Sequence, residues 1–108
     1  MDRSDVIYLV TETKAQDSNG VWKIQTEKRQ VFCNVQSVTQ TEFFEAGRNG
    51  LNPEYEFTMF QGDYNGERTV EYNGDAYAVY RTYRTRTDGI ELYVERKGGT
   101  NGLTDGNG

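Results

Sequence analysis

Apolar and polar residues alternate with a period of two along most of this chain, as they do in β-strands that bury one face. The pattern predicts strands over residues 6–13, 21–26, 28–38 and 54–61. In the first, both faces are apolar, which favours a central or sandwiched strand. The polar segment 14–20 reads as a turn or loop. Tyr55, Phe57 and Met59 share one face of the fourth strand and are predicted core residues.

Two dipeptides in the second half of the chain predict tight turns. Asn73-Gly74 separates two runs rich in β-branched and aromatic residues, 67–72 and 75–84. Asn-Gly tolerates the positive φ angles that short hairpins need. Asp88-Gly89 then precedes a further run, 90–96. These segments predict a three-stranded antiparallel meander.

One short helix interrupts the strand pattern. Thr39 and Glu42 have the spacing of a capping box, in which each side chain binds a backbone N–H of the first turn. A helix over residues 40–46 should follow, and Gly47 is suited to the left-handed conformation after its end. Two turns of helix are not stable alone in water, so this helix must dock on the barrel or on a neighbour.

Phe43 and Phe44 are adjacent on this helix and cannot both face the same body. Either one of them contacts a partner, or the pair fills a corner that is buried on two sides. Residues 48–53 form an irregular connector beyond the helix.

The predicted fold class is therefore all-β, with six or seven short strands in a small barrel or sandwich and one short helix in a long loop. Residues 1–97 form one domain. Residues 98–108 contain five glycines and almost no apolar side chain, and they are predicted to be a flexible tail.

Composition restricts the possible functions. A net charge of -5 argues against a broad basic face that grips nucleic acid. Basic residues cluster only at Arg81, Arg84 and Arg86, which alternate with Tyr80 and Tyr83. This stretch either stacks on single-stranded bases or forms a solvated strand face flanked by core tyrosines.

Catalytic and metal-binding patterns are weak. The chain has no histidine and one cysteine, which removes histidine-dependent triads and the usual zinc sites. Cys33 reads as a buried structural thiol, with a reactive or intermolecular thiol as the alternative. Glu54 and Glu56 could act as paired carboxylates, but a solvated polar face explains them better. We expect no enzyme, no cofactor and no bound metal.

Two further segments have a simple interpretation. Residues 63–67 vaguely resemble a calcium loop, but the glycine comes too early, and a hairpin turn is the better interpretation. The longest early apolar run, residues 6–10, is too short for a signal-peptide core or a membrane span. The expectation is synthesis in a cytoplasm and no membrane partner.

Residues 43–55, FFEAGRNGLNPEY, resemble the helix-and-loop segment of small phage head–tail joining proteins, the head-closure or stopper family of head–tail adaptors. Segments 70–74, 80–83 and 90–99 are similar to the C-terminal strands of that family. Segments 5–7 and 31–33 also fit, so the resemblance covers nearly the whole chain up to residue 99.

The resemblance implies a structural virion protein of a long-tailed phage or prophage, made in the bacterial cytoplasm. Members form a ring, typically of twelve copies, below the portal and its adaptor. The ring closes the DNA-filled head and presents a surface to a tail-terminator or tail-completion protein. Packaged DNA passes through the ring without specific binding.

The resemblance also implies that a loop within residues 40–53 projects toward the channel. Glu42 and Glu45 would give this segment negative charge, and Phe43 or Phe44 would pack against a neighbour. The predicted channel- or partner-facing residues are Glu42, Phe43, Phe44, Glu45, Arg48 and Asn49.

Two other functions stay open from the sequence. One is another neck or tail-terminator component that joins tails without sealing DNA. The other, from a different class, is a single-stranded nucleic-acid binding β-barrel that uses Tyr77, Arg81 and Tyr83 on one strand face. An enzyme would need a pocket that the sequence does not indicate.

Overall fold

Six antiparallel strands close into a barrel in the computed structural model, which describes residues 5–97. The elements are β1 (Asp5–Gln16), β2 (Trp22–Ser37), α1 (Gln40–Arg48), β3 (Pro53–Phe60), a 3₁₀ turn (Gln61–Asp63), β4 (Thr69–Tyr72), β5 (Asp75–Arg84) and β6 (Gly89–Arg96). Around the barrel the order is β1-β2-β3-β6-β5-β4. The all-β prediction is confirmed, as a barrel rather than a sandwich. The predicted flexible tail, residues 98–108, lies outside the described residues.

The C-terminal meander forms as predicted from its turns. β4 pairs with β5 and β5 with β6, all antiparallel. Asn73 has φ 52 and Gly74 has φ 85, so both central residues of the β4–β5 turn are left-handed. This is the backbone geometry that makes Asn-Gly favourable at a two-residue hairpin.

The first hairpin is longer than the sequence pattern indicates. β1 and β2 pair without interruption from Asp5↔Cys33 to Gln16↔Trp22. The predicted loop at 14–20 is therefore wrong for residues 14–16, and the predicted strands 21–26 and 28–38 are one strand. Residues 25–30 of β2 show no apolar alternation, but each of them pairs with a residue of β1, so the strand continues through them.

The core lies inside the barrel and is built from alternate residues of all six strands. Phe57 and Met59 are fully buried, as predicted, and so is Cys33, whose interpretation as a buried thiol is confirmed. Tyr55 is half-buried and packs against this core. The buried cluster consists of Ile7, Leu9, Val31, Cys33, Phe57, Met59, Val70, Tyr77, Val79, Ile90, Leu92 and Val94.

Aromatic rings fill one part of the barrel interior. Tyr55 and Phe57 of β3 meet Tyr72 of β4 and Tyr77 of β5, with ring centroids 5.4–6.4 Å apart. Most of these pairs are edge-to-face, the arrangement that the ring quadrupoles favour. The guanidinium of Arg96 lies 5.5 Å from the Tyr77 ring and is 3.2 Å from the Asp75 carboxylate.

Residues 61–68 cross from one side of the barrel to the other. β3 pairs with β2 and β6, whereas β4 pairs with β1 and β5, so the two strands are not neighbours. The prediction of a hairpin turn at 63–67 is therefore wrong. The local turn signal of Asn65-Gly66 is real, since Gly66 has a positive φ, but local chemistry does not determine which strands pair.

Helix α1 begins as predicted and ends later. The Thr39 hydroxyl accepts a hydrogen bond from the Glu42 N–H at 3.1 Å, which confirms the N-cap. The helix continues through Gly47 to Arg48, and Gly50, with φ 80, takes the left-handed conformation that was predicted for Gly47. Within residues 5–97, no helix has the length and apolar character needed to cross a membrane.

Candidate functional site

A β-bulge at Tyr80 determines what the outer wall of β5 presents. Val79 pairs with Val94, but the next pair is Arg81 with Tyr93, so Tyr80 is the extra residue. A bulge breaks the strict alternation of side chains. Tyr80 and Arg81 consequently both lie on the outer wall, next to Tyr93, and Thr82 pairs with the core residue Leu92.

Glu42 of α1 binds these two side chains and fastens the helix to the wall. The Tyr80 hydroxyl donates to Glu42 Oε2 at 2.7 Å, and the Arg81 guanidinium forms an ion pair with the same carboxylate. The Glu42 side chain is only 13% exposed. Burial and the bond to Glu42 raise the pKa of Tyr80, so the hydroxyl stays a donor. Glu42 therefore serves as the anchor of α1.

Beneath the helix lies Glu56, which the sequence predicted to be on a solvated face. It is 8% exposed. Burial raises its pKa, and the nearby carboxylates of Glu91 and Glu42 raise it further, against the opposing effect of Arg81. The prediction failed because α1 covers this part of β3. Glu54 is exposed as predicted and lies 3.5 Å from Arg96, in different surroundings from Glu56.

We call the set Glu42, Glu56, Tyr80, Arg81, Glu91 and Tyr93 the outer cluster. Its members are linked to each other. The Arg81 guanidinium lies 4.1 Å from the centre of the Tyr93 ring, and the Tyr93 hydroxyl donates to Glu91 at 2.6 Å. Burial and the bond to Glu91 raise the pKa of Tyr93. This arrangement holds the helix against the barrel, next to a shallow depression of about 430 Å³.

The other residues predicted to face the channel or a partner lie on the solvent side of α1. Phe43 and Phe44 are 50% and 57% exposed, with their ring centroids 5.9 Å apart. The alternative that they fill a buried corner is wrong for the single chain. Glu45 forms an exposed pair with Arg48 at 3.5 Å, and the Asn49 side chain donates to the Glu45 carbonyl. Ala46 is the helix residue that is buried.

The structure has a second exposed apolar surface, which the sequence pattern did not predict. Residues 11–16 and 22–27 extend the β1–β2 hairpin beyond the barrel, and all of them are exposed on both faces. We call this extension the arm. Six residues of strand span about 20 Å. Trp22 and Ile24, 65% and 63% exposed, share one face of the arm. The alternation of Trp22 and Ile24 with polar residues is the sequence pattern that could have predicted this surface.

At the base of the arm, an open cleft of about 900 Å³ contains a charged pair. Arg29 donates to the Glu67 carboxylate at 2.8 Å, and the Asn65 N–H donates to it at 2.8 Å. Burial on its own would raise the pKa of Glu67, but these bonds hold it below the ordinary value. The pair joins β2 to the crossing segment. Residues 5–97 contain no group of acidic, cysteine or histidine side chains arranged to hold a metal ion.

The strand face proposed for single-stranded nucleic acid does not exist as predicted. Tyr77 is 2% exposed and belongs to the core, while Arg81 and Tyr83 lie on the outer wall. The bulge at Tyr80 separates them, because it shifts the alternation of β5 by one residue. Arg81 is moreover engaged by Glu42.

Comparison with known proteins gives no family: no protein-family model matches the chain, and no curated protein matches it.

Proposed function

We propose that this protein is a structural subunit of the head–tail connector of a long-tailed phage or prophage. Copies form a ring below the portal and its adaptor, close the DNA-filled head and provide the surface for tail attachment. The observation that carries the proposal is the pair of uncovered apolar surfaces, on the arm and on α1, of a barrel whose interior is filled by its own side chains.

The exposed aromatic residues support an assembly role. Large apolar side chains that project together from a small protein mark interaction sites. The arm carries Trp22 and Ile24, and the helix carries Phe43 and Phe44. A two-stranded ribbon is marginally stable in water on its own. A neighbouring subunit that packs on the arm would stabilise it.

Charge and sequence support the location in the particle. The net charge of -5 suits a protein beside which DNA must move, since an acidic wall does not retain phosphates. The resemblance of residues 5–99 to head-closure proteins spans both the helix segment and the C-terminal strands. The twelve-fold ring rests on that resemblance alone.

Electron microscopy of particles from a phage or prophage lacking this gene tests the proposal. The expected result is emptied heads beside complete, detached tails. DNA-filled heads beside detached tails would change the role to tail attachment alone, as in another neck or tail-terminator component. Normal infectious particles would overturn the proposal.

A further inference from the structure

The arm and the helix lie at opposite ends of the same strand. β2 runs from Trp22 in the arm to Ser37, three residues before α1. Sixteen strand residues span about 50 Å, and the longest dimension of the described chain is 49 Å. Trp22 therefore cannot reach the Phe43–Phe44 pair of its own chain, so any contact between the two surfaces joins two copies.

The apolar face of the arm carries Lys14 beside its apolar side chains, and Glu12 lies on the same face nearer the barrel. Ile24 pairs across the ribbon with Lys14, and Trp22 pairs with Gln16, so these four side chains share a face. Lys14, Trp22, Lys23 and Ile24 line a shallow apolar depression. Lys23 lies 3.7 Å from Asp17, whereas Lys14 projects beside Ile24.

The exposed face of α1 presents aromatic side chains and a carboxylate, which can pack against the apolar side chains of the arm and pair with its lysine. Phe43 and Phe44 project from it, and Glu45 is the next residue along the chain. The Glu45–Arg48 pair at 3.5 Å is exposed at both ends, so exchanging it for another partner costs little. Glu42, the other helix carboxylate, is already bound to the barrel.

We infer that the arm of one copy packs its Trp22–Ile24 face on Phe43 and Phe44 of the next copy, with Lys14 close to Glu45. The inference rests on the proposed function and names its subunit contact. Two different surfaces meet, so the contact is heterologous, and repeated contacts close into a ring when the rotation between copies allows it. The outer cluster fixes the helix that receives the arm.

Trp22 is the single tryptophan of the chain, which makes the contact visible by fluorescence. Raising the concentration of the purified full-length protein should shift its emission to shorter wavelength as the indole leaves water. Phe44→Ala should weaken this self-association about tenfold or more, as expected for a buried aromatic anchor. Phe32→Ala is the matched control, because Phe32 is equally exposed but lies on the barrel wall.

Disulfide trapping identifies the two surfaces. A chain carrying both Lys14→Cys and Glu45→Cys should form a ladder of covalent oligomers on oxidation. The control pair Gln25→Cys and Glu45→Cys, with the first cysteine on the opposite arm face and outside the depression, should form far less. Cys33 is buried, so the unaltered chain provides the background.

The outcomes are distinct. Dimers from Lys14→Cys alone would indicate an arm-to-arm contact and overturn the inference. No ladder, although the unaltered protein forms rings, would overturn the inference and leave the proposed function standing. Normal particles from the gene-deleted phage would remove the proposed function, whatever the trapping result.

Discussion

Glu42 holds α1 on the barrel, and its removal should release the helix without unfolding the domain. The carboxylate accepts from Tyr80 and pairs with Arg81, and Ala46 is the buried residue of the helix. Little else fastens α1. Alanine is the best helix former, so Glu42→Ala leaves the intrinsic helix propensity intact.

The hydrogen bond from Tyr80 and the ion pair with Arg81 contribute different free energies, because they differ in exposure to solvent. A hydrogen bond to a charged group contributes about 1.5–3 kcal/mol when it is protected from water. Arg81 is 46% exposed, so its ion pair contributes only about 0–1 kcal/mol. We expect a combined loss of about 2 kcal/mol, which corresponds to a roughly 30-fold increase in helix opening.

Amide hydrogen exchange resolved by residue measures this directly. In Glu42→Ala, amides of α1 should exchange about 30-fold faster, while those of β3 and β6 keep their rates, because local opening differs from global unfolding. Glu45→Ala is the matched control: it makes the same change in the same helix but removes only an exposed pair. Equal exchange rates for α1 in both variants would refute the anchoring role of Glu42.

Three stability predictions follow from other positions. Glu67→Gln should lower the free energy of unfolding by about 1–2 kcal/mol at pH 7, since Arg29 loses the negative charge of its partner. The lowered pKa of Glu67 means that the difference disappears as pH falls below the ordinary value of 4.5, which urea titrations at several pH values would check. A loss that persists unchanged at pH 3 would contradict it. Glu56→Gln should instead raise the free energy of unfolding. Because the pKa of Glu56 is raised, ionising this carboxyl costs more in the folded chain than in the unfolded chain. The variant should therefore gain stability as pH rises above 4.5 and gain none below it. A variant less stable at pH 7 would refute this. Gly74→Ala should cost about 1–2 kcal/mol through its φ of 85 alone, since the added Cβ meets nothing within 4 Å. Gly47→Ala, inside α1 with equal space, should instead stabilise by about 0.5–1 kcal/mol, and thermal melts showing equal effects would contradict the difference.

The sequence predicted those elements that are stabilised by interactions between residues close together in the chain. Asn73-Gly74 specified its hairpin because the turn needs two positive φ angles. Thr39 specified the start of α1 through a bond to an N–H three residues away. The alternation around Phe57 and Met59 identified the core face of β3.

Non-local pairing determined what the sequence did not predict. The arm continues because β1 and β2 pair residue by residue through polar positions, which no single strand pattern indicates. The burial of Glu56 depends on where α1 docks, and the docking depends on Tyr80 and Arg81, 38 and 39 residues away from Glu42. The bulge that presents both side chains is visible only in the β5–β6 register.

A cryo-electron microscopy reconstruction of the neck of the assembled particle would show whether this chain forms a ring there. We predict a ring between the portal complex and the tail, with density for one barrel per subunit and the arm of each barrel packed on the α1 helix of the next. A neck fully accounted for by other proteins, with no density that fits this barrel, would contradict it.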